Sequence, residues 1–383
     1  MPRLNRSGTL ALLCAVYLAA GLSLASVGPS LAALAANVRQ DVAVVGGLFT
    51  AFSLGTILVQ LVAAPLSGRF GLRIVLALGL LLMGLGKLGE SLAGVFGLLL
   101  AGAFLGGLGF GFILAGGSVL TPRLFPARST AALNLVNFFY GVGSIIGPLM
   151  AGWALARFAT PQAAIWLGAG LLLALAPVAL FATDVAVTTT HQDQARALPW
   201  PLIALLGVLL LVYSGTEIGI GGWAALYLTL GPGMAPEQAA FAVAGFWFAL
   251  TLGRAVGAVL GLRLRATRLL AGASTLMLLG AMLLSFSGVS ANLAVAALLL
   301  MGFACGPIFP TTMALVAAVS AGRGSAASLA LAIGNAGGAL IPPLLGLTLT
   351  QAGPTAAATL ILILTATLLA LLGVVVGMVR RMR

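Results

Sequence analysis

The sequence predicts an all-α polytopic membrane protein, in which twelve transmembrane helices form two pseudo-symmetric six-helix bundles. Three observations support this fold class. The 383-residue chain is 61% hydrophobic and only 6% charged, whereas about a quarter of the residues in a soluble domain are charged. Apolar runs of roughly 20 residues, the length that crosses a bilayer, recur along the whole chain. Glycine, proline and arginine positions of the first half also recur about 194 residues later.

The first half contains six predicted spans. The N-terminal run resembles a signal peptide but continues without a clear cleavage site, so we expect it to remain as the first span. The third span carries Lys87 and Glu90, three residues apart and able to face each other on a helix. We interpret them as a pair that snorkels to the membrane interface, with a functional role as the alternative. The predicted spans cover about residues 9–34, 43–66, 74–92, 95–120, 134–153 and 163–181.

A polar segment separates this half from six further spans. It holds the only histidine, His191, which we expect to be solvated and not to act as a ligand or base. We therefore predict an N-terminal bundle over residues 1–182, a cytoplasmic linker over 183–198 and a C-terminal bundle over 199–383.

The seventh span, residues 199–230, contains the least expected residue of the chain. Glu217 follows a nearly pure run of leucine, valine and alanine, and a carboxylate inside a membrane span is costly and marks a functional site. Burial disfavours its charged form unless a cation or an arginine lies beside it. Arg254 is expected to lie near the inner end of the eighth span, too far in depth to neutralise Glu217. Gly219, Gly221 and Gly222 are expected to let another backbone approach closely or to let the helix bend, and nearby carbonyl groups that coordinate Na⁺ are the alternative to a proton on Glu217.

The two halves repeat at one spacing. Gly143, Pro148 and Gly152 of the fifth span correspond to Gly337, Pro342 and Gly346 of the eleventh. Arginines recur in the same way, because Arg69 corresponds to Arg263 and, with one inserted residue, Arg73 corresponds to Arg268. Glycine is common in this chain, but proline and arginine are not, so these matches indicate two parallel halves.

The net charge of +12 reflects topology and not a nucleic-acid partner. With a cytoplasmic N-terminus and alternating spans, about fourteen of the 18 basic residues fall on the cytoplasmic side. This asymmetry follows the positive-inside rule. We therefore expect an integral protein of the plasma (inner) membrane, with the lipid bilayer as its surroundings and both termini in the cytoplasm.

Reporter fusions test this orientation. A reporter joined after Arg196 and another joined after Arg383 are both expected to give cytoplasmic signals, because an even number of spans returns the chain to its starting side. A periplasmic signal from either fusion would contradict the assignment.

The segment Ala64-Pro65-Leu66-Ser67-Gly68-Arg69-Phe70-Gly71-Leu72-Arg73 is similar to the loop motif that the major facilitator superfamily carries between its second and third helices. That family has parallel six-helix halves, so the resemblance covers the whole chain. Two positions depart from the motif, where Ala64 replaces a glycine and Gly68 replaces an aspartate. The segment 143–152 also resembles the Gly-Pro motif in the fifth helix of the family's exporters.

Three further segments resemble the fucose/glucose permease branch of this family: GTEIGIGGWAALYL, GFACGPIFPTTMAL and NFFYGVGSIIGP. The resemblance implies a cation-coupled sugar symporter. Fucose permease carries acidic residues in its first and fourth helices, and this chain has none there. Coupling at those positions is excluded, so the resemblance leaves Glu217 and Glu90 as candidates for ion coupling.

Polar and aromatic residues at similar depth in six spans suit a solute site near the bilayer midplane, between the two halves. The aromatic rings can stack on a polyol or on a flat amphipathic drug, while the amides read hydroxyl groups. Each of these residues also has a structural alternative in helix packing or an interfacial aromatic belt. The candidate solute-binding residues are Ser23, Ser26, Asn137, Phe138, Tyr140, Tyr213, Glu217, Trp223, Trp247, Phe309, Thr311 and Asn335.

The sequence does not carry the residue groups of an enzyme. One histidine in a linker, two cysteines inside apolar runs and no clustered acids offer neither a catalytic set nor a metal site. We expect no cofactor, a small-molecule substrate, H⁺ or Na⁺ as coupling ion, no nucleic acid and a monomer. Arg69, Arg73, Arg263 and Arg268 are expected to gate the exchange between two states.

Alternatives remain open. A cation-coupled sugar symporter competes with a proton-coupled drug or metabolite exporter of the same superfamily. A receptor or scaffold that uses this fold without transport is a more remote possibility.

Overall fold

The computed structural model describes residues 3–183, 198–288, 290–320 and 324–381, and within these ranges the regular structure is entirely helical. The predicted linker with His191 falls mostly outside the described residues. The first half contains α1 Arg6–Ala25, α2 Val27–Val38, α3 Val42–Val45, α4 Gly47–Phe70, α5 Leu72–Leu92, α6 Phe96–Leu124, α7 Ser129–Phe158 and α8 Gln162–Ala179. The second contains α9 Trp200–Leu230, α10 Pro236–Gly261, α11 Ala266–Ser285, α12 Ala291–Cys305, α13 Ile308–Val319, α14 Gly324–Leu347 and α15 Gly353–Arg381.

Eleven helical segments among the described residues are long and apolar enough to cross a membrane. The last of them, Ala326–Arg381, has 56 residues. At about 1.5 Å per residue it is roughly 84 Å long, more than twice the thickness of a hydrocarbon core. It consists of α14 and α15 joined by a π-helical segment, Thr348–Ala352, so it accounts for two of the twelve predicted spans.

The chain divides into two compact units. One comprises Met1–Asp41 with Gly47–Asp193, and the other comprises Val42–Gly46 with Gln194–Arg383. The predicted boundaries at 182 and 199 stay predictions, because residues 184–197 are not described.

Glycines allow the helices of the first unit to cross with their backbones in contact. A Cβ atom on Gly143 of α7 would lie 2.0 Å from the Leu18 carbonyl oxygen of α1, and one on Gly107 of α6 would lie 1.9 Å from the Phe52 carbonyl oxygen of α4. No other residue fits at such a distance. Small residues at crossings are typical of transmembrane bundles, where close packing drives association.

The second unit repeats both crossings at the corresponding positions. A Cβ atom on Gly337 of α14 would lie 1.9 Å from the Leu211 carbonyl oxygen of α9, and one on Gly302 of α12 would lie 2.4 Å from the Phe246 carbonyl oxygen of α10. The glycine spacing of the sequence therefore marks equivalent helix crossings in two pseudo-symmetric bundles.

Two predicted spans are interrupted. The first divides at Ser26 into α1 and α2, and the tenth divides at Gly306 and Pro307 into α12 and α13. Proline cannot donate a backbone hydrogen bond, which explains the second interruption. Non-helical backbone at membrane depth persists only where protein or a water-filled cavity surrounds it, so such breaks are places to look for a site.

Candidate functional site

Glu217 of α9 and Arg254 of α10 form an ion pair inside the second unit. The Arg254 Nη2 atom lies 3.7 Å from the Glu217 Oε1 atom, and the side chains are 29% and 14% exposed. A charge-assisted hydrogen bond is about 2.7–2.9 Å long, so the two groups attract each other without closing that bond. The carboxylate therefore lies beside a cation to which no short hydrogen bond ties it.

The expectation that Arg254 lies too deep to neutralise Glu217 is wrong. Glu217 lies about 13 residues before the end of α9, and Arg254 lies about 18 residues after the start of α10. With a rise of about 1.5 Å per residue, their Cα atoms differ in depth by only about 7.5 Å. An extended arginine side chain spans that difference.

Tyr213 lies one helical turn before Glu217 on the same face of α9 and is fully buried. Its hydroxyl donates a hydrogen bond of 2.9 Å to the carbonyl oxygen of Cys305. Cys305 is the last residue of α12, directly before the interruption at Gly306 and Pro307. The phenol and the Glu217 carboxylate also interact electrostatically. The acid therefore lies beside the broken helix.

Trp247 of α10 packs against α9 one helical turn after Glu217. A Cβ atom on Gly221 of α9 would lie 2.6 Å from the Trp247 Cζ2 atom, so the indole rests on the glycine. The Trp247 Nε1 atom is buried and has no hydrogen-bond partner among the described residues. Trp247, Thr251 and Arg254 follow one another at helical spacing toward α9. This face of α10 therefore presents a ring, a hydroxyl and a guanidinium.

Of the two roles expected for the glycines after Glu217, the structure shows close packing and no bend in the helix. α9 is one continuous helix from Trp200 to Leu230. Gly221 accommodates the Trp247 ring, and a Cβ atom on Gly219 would lie 3.2 Å from a Leu345 methyl carbon. These glycines serve close packing, and the interrupted helix of this unit lies instead between α12 and α13.

The other predicted solute-binding residues of this unit differ in burial. Trp223 is fully buried, and its indole nitrogen donates a 2.7 Å hydrogen bond to the Pro342 carbonyl oxygen. A ring and a donor that are both used inside the bundle indicate packing. Phe309 is 36% exposed, and Thr311 and Asn335 are half-buried.

The predicted solute-binding residues of the first unit also differ in burial and in their hydrogen bonds. Ser23 is buried against Gly168, and its hydroxyl lacks a partner among the described residues. The Ser26 hydroxyl donates to the Ser23 carbonyl oxygen at 3.1 Å. Asn137 is exposed and donates to the Leu133 carbonyl oxygen of its own helix at 2.9 Å. Phe138 is 55% exposed, and the half-buried Tyr140 ring lies 6.4 Å from the Phe110 ring.

Lys87 and Glu90 form a buried ion pair, so the interpretation as a pair that snorkels to the interface is wrong. The Lys87 Nζ atom donates hydrogen bonds of 2.9 Å to both Glu90 oxygens, and the side chains are 2% and 0% exposed. The ammonium also lies 5.5 Å from the centre of the Phe52 ring, within cation–π range. The pair lies inside the first bundle.

The four predicted gating arginines lie at the ends of helices. Arg69 is exposed with its guanidinium 5.3 Å from the centre of the Phe70 ring. Arg73 is half-buried, and Arg263 and Arg268 are exposed. Their role in gating stays a prediction.

Sequence reasoning missed the Cys305 carbonyl and the use of Arg254. The Gly306-Pro307 pair was a usable signal for the first, because a proline without an N–H group predicts an interrupted helix at this place. A count of residues from the α9–α10 connection would have found the second.

A polytopic helical chain with two similar bundles and a charged pair beside a broken helix defines an integral membrane protein of the transporter type. The comparisons agree with this class. The sequence model of the Major Facilitator Superfamily matches residues 13–230, more than half of the chain. The chain belongs to the major facilitator superfamily, a family of membrane transporters.

Individual relatives are distant. The chain is 23% identical over 287 residues to the sodium-dependent glucose transporter 1 of Homo sapiens, which covers 64% of this chain and 55% of that protein. It is 30% identical over 139 residues to the 4-hydroxybenzoate transporter PcaK of Acinetobacter baylyi, which covers 36% and 30%. The solved structure of the nucleoside transporter NupG covers 98% of this chain and 100% of that chain, with a TM-score of 0.77 and 14% identity. That likeness shows the fold alone, and the chain spans only 30% to 55% of the glucose and hydroxybenzoate transporters it matches.

Proposed function

We propose that this chain is a secondary active transporter for a small solute, a sugar or sugar-like polar molecule, which it moves by alternating access coupled to H⁺ or Na⁺. The single observation that carries the proposal is the pair of Glu217 and Arg254, 3.7 Å apart and partly exposed. A charged pair inside a membrane span marks the path of a substrate or an ion.

The geometry of this pair suits ion exchange. Two unit charges at about 4 Å attract each other by roughly 4 kcal/mol at the effective dielectric of a partly exposed site. A proton on Glu217, or Na⁺ beside it, removes that attraction and frees Arg254. The conformational balance then depends on whether the carboxylate carries an ion, which is the requirement for coupling.

The sugar assignment draws on two kinds of support. The half-buried Trp247 offers a flat ring in the unit that holds the ion pair, and the half-buried Asn335 offers an amide group in the same unit. The sodium-dependent glucose transporter is one of the relatives. Tyr213 and Trp223 are buried, so we assign Tyr213 to the ion site and Trp223 to packing.

Two alternatives remain within this proposal. The 4-hydroxybenzoate transporter among the relatives and the Gly-Pro segment at residues 147–148 leave room for a proton-coupled drug or metabolite exporter. A receptor or scaffold without transport is the remote alternative. A thermal-shift screen of sugars, aromatic acids and lipophilic cations on the purified protein distinguishes the solute classes, and a scaffold is expected to respond to none of them.

Glu217→Gln in proteoliposomes tests the coupling role. The amide keeps the shape of the side chain but binds neither H⁺ nor Na⁺ as a carboxylate does. We expect solute exchange without an imposed gradient to persist, while uphill accumulation driven by a pH or Na⁺ gradient falls to a ratio of about one. The measurement is the uptake of labelled solute under each gradient in turn.

Glu237→Gln is the matched control for this experiment. Glu237 belongs to the same unit but lies in the first turn of α10, away from the ion pair. Its variant should accumulate solute like the wild type. Uphill accumulation by Glu217→Gln would show that Glu217 is not the coupling residue, and Glu90 would become the remaining candidate.

A further inference from the structure

At the break between α12 and α13, a backbone carbonyl group accepts a hydrogen bond from a side chain of another helix. Pro307 has no N–H group, and the Gly306 N–H bonds the Phe303 carbonyl oxygen at 3.3 Å in a tightened last turn. The next helix begins at Ile308. The Cys305 carbonyl oxygen accepts its hydrogen bond from the Tyr213 hydroxyl. The phenol of α9 is therefore joined to the last residue of α12, directly before the break.

The same break is in contact with the backbone of Arg254. A Cβ atom on Gly306 would lie 2.3 Å from the Arg254 backbone nitrogen and 2.4 Å from the Gly253 carbonyl carbon. A shift of the α12–α13 break would therefore displace the backbone of Arg254. Tyr213 from α9 and Arg254 from α10 both join the break to Glu217.

The Tyr213 hydroxyl has one hydrogen to donate. It donates that hydrogen to Cys305 while Arg254 neutralises the carboxylate. A carboxylate that has lost Arg254 is a stronger acceptor than a carbonyl group. A protonated Glu217 is a donor instead, so the phenol oxygen can accept from it and still donate to Cys305.

From this geometry we propose that Tyr213 is a positioning residue, which transmits the ion state of Glu217 to the helix break at Gly306 and Pro307. The inference rests on the coupling role proposed for Glu217. A bare carboxylate draws the Tyr213 hydrogen away from Cys305 and loosens the break. Protonation of Glu217 or its pairing with Arg254 returns the hydrogen and closes it.

The two free cysteines provide a direct readout. Cys305 lies at the break and Cys14 lies in α1 of the other unit, and both are buried. Alkylation of a buried thiol reports local opening. The experiment measures the rate of N-ethylmaleimide labelling at each cysteine by mass spectrometry, on the purified full chain. The ratio of the Cys305 rate to the Cys14 rate removes effects of pH on thiol chemistry and of general stability.

Tyr213→Phe keeps the ring and removes the hydroxyl. We expect the Cys305/Cys14 ratio to rise about tenfold, because the carbonyl at the break loses its partner. Tyr227→Phe is the matched control, since Tyr227 is a buried tyrosine of the same helix whose hydroxyl lies 3.2 Å from Ser287 Oγ. Its variant should label like the wild type. An unchanged ratio in Tyr213→Phe, or an equal rise in Tyr227→Phe, overturns the inference.

An ion titration separates a transmitting role from a merely structural one. In Arg254→Met, which leaves the Glu217 carboxylate bare, the ratio should be high and should fall severalfold as H⁺ saturates Glu217, and in the double variant Arg254→Met with Tyr213→Phe it should stay constant. A constant ratio in Arg254→Met also overturns the inference. The proposed coupling role fails on a different result, the uphill accumulation of solute by Glu217→Gln, so the two failures are distinguishable.

Discussion

Alanine in place of Gly337 or Gly143 is expected to destabilise the protein strongly. The new Cβ atom would lie 1.9 Å from the Leu211 carbonyl oxygen at Gly337, or 2.0 Å from the Leu18 carbonyl oxygen at Gly143. Both neighbours are backbone atoms and cannot rotate away, so two helices must separate. Overpacking of a core typically costs about 1–3 kcal/mol, and we expect the upper end of that range or more.

The measurement is the thermal unfolding midpoint of each variant in detergent, together with the yield of monodisperse protein. Gly170→Ala is the matched control, because Gly170 is a helical glycine of α8 with no atom within 4 Å of its Cβ position. Alanine favours helix over glycine by about 1 kcal/mol, so this control should be neutral or slightly stabilising. Equal midpoints for Gly337→Ala and Gly170→Ala would contradict the close crossing.

The fold could be predicted from the sequence because its signals are strong and local. Apolar runs set the spans, and the recurrence of Gly143 and Pro148 as Gly337 and Pro342 indicated two related halves. The structure explains why this recurrence is so regular. The repeated glycines are the points where helix backbones touch, and no larger residue fits there.

The charged pairs could be predicted only in part, because the outcome depends on how far a long side chain reaches. Lys87 and Glu90 were placed on one helix face correctly, but the sequence alone did not show that the face turns into the bundle. Arg254 was placed near one end of its span, yet its flexible stem covers the depth that separates it from Glu217. Sequence spacing fixes the position of a Cα atom, not that of a charged group several ångströms away.

The interrupted helix shows a different limit. The sequence displays both the glycine cluster after Glu217 and the pair of Gly306 and Pro307. We expected close packing or a bend at the first, and α9 continues through its glycines without a bend. A glycine permits a bend without requiring one, whereas a proline removes a hydrogen bond wherever it occurs. The proline was therefore the more reliable signal.

Removal of one charge from the Lys87–Glu90 pair is expected to destabilise the protein strongly, while removal of both is not. Both side chains are buried, and the Lys87 ammonium donates to each oxygen of Glu90 at 2.9 Å. A single Lys87→Met or Glu90→Gln substitution leaves an uncompensated charge inside the first bundle. Such a loss typically costs about 3–5 kcal/mol, whereas an apolar or neutral replacement of a whole buried pair is often neutral or stabilising.

A double-mutant cycle measures this directly. Lys87→Met, Glu90→Gln and the combined variant are unfolded thermally in detergent, and the double variant is expected to have a midpoint close to that of the wild type. A double variant less stable than both single variants would contradict mutual compensation of the charges. The same double variant also tests Glu90 as a coupling residue. Because it has no charge at either position, uphill accumulation of solute in proteoliposomes would assign the pair to the stability of the first bundle and leave coupling to Glu217.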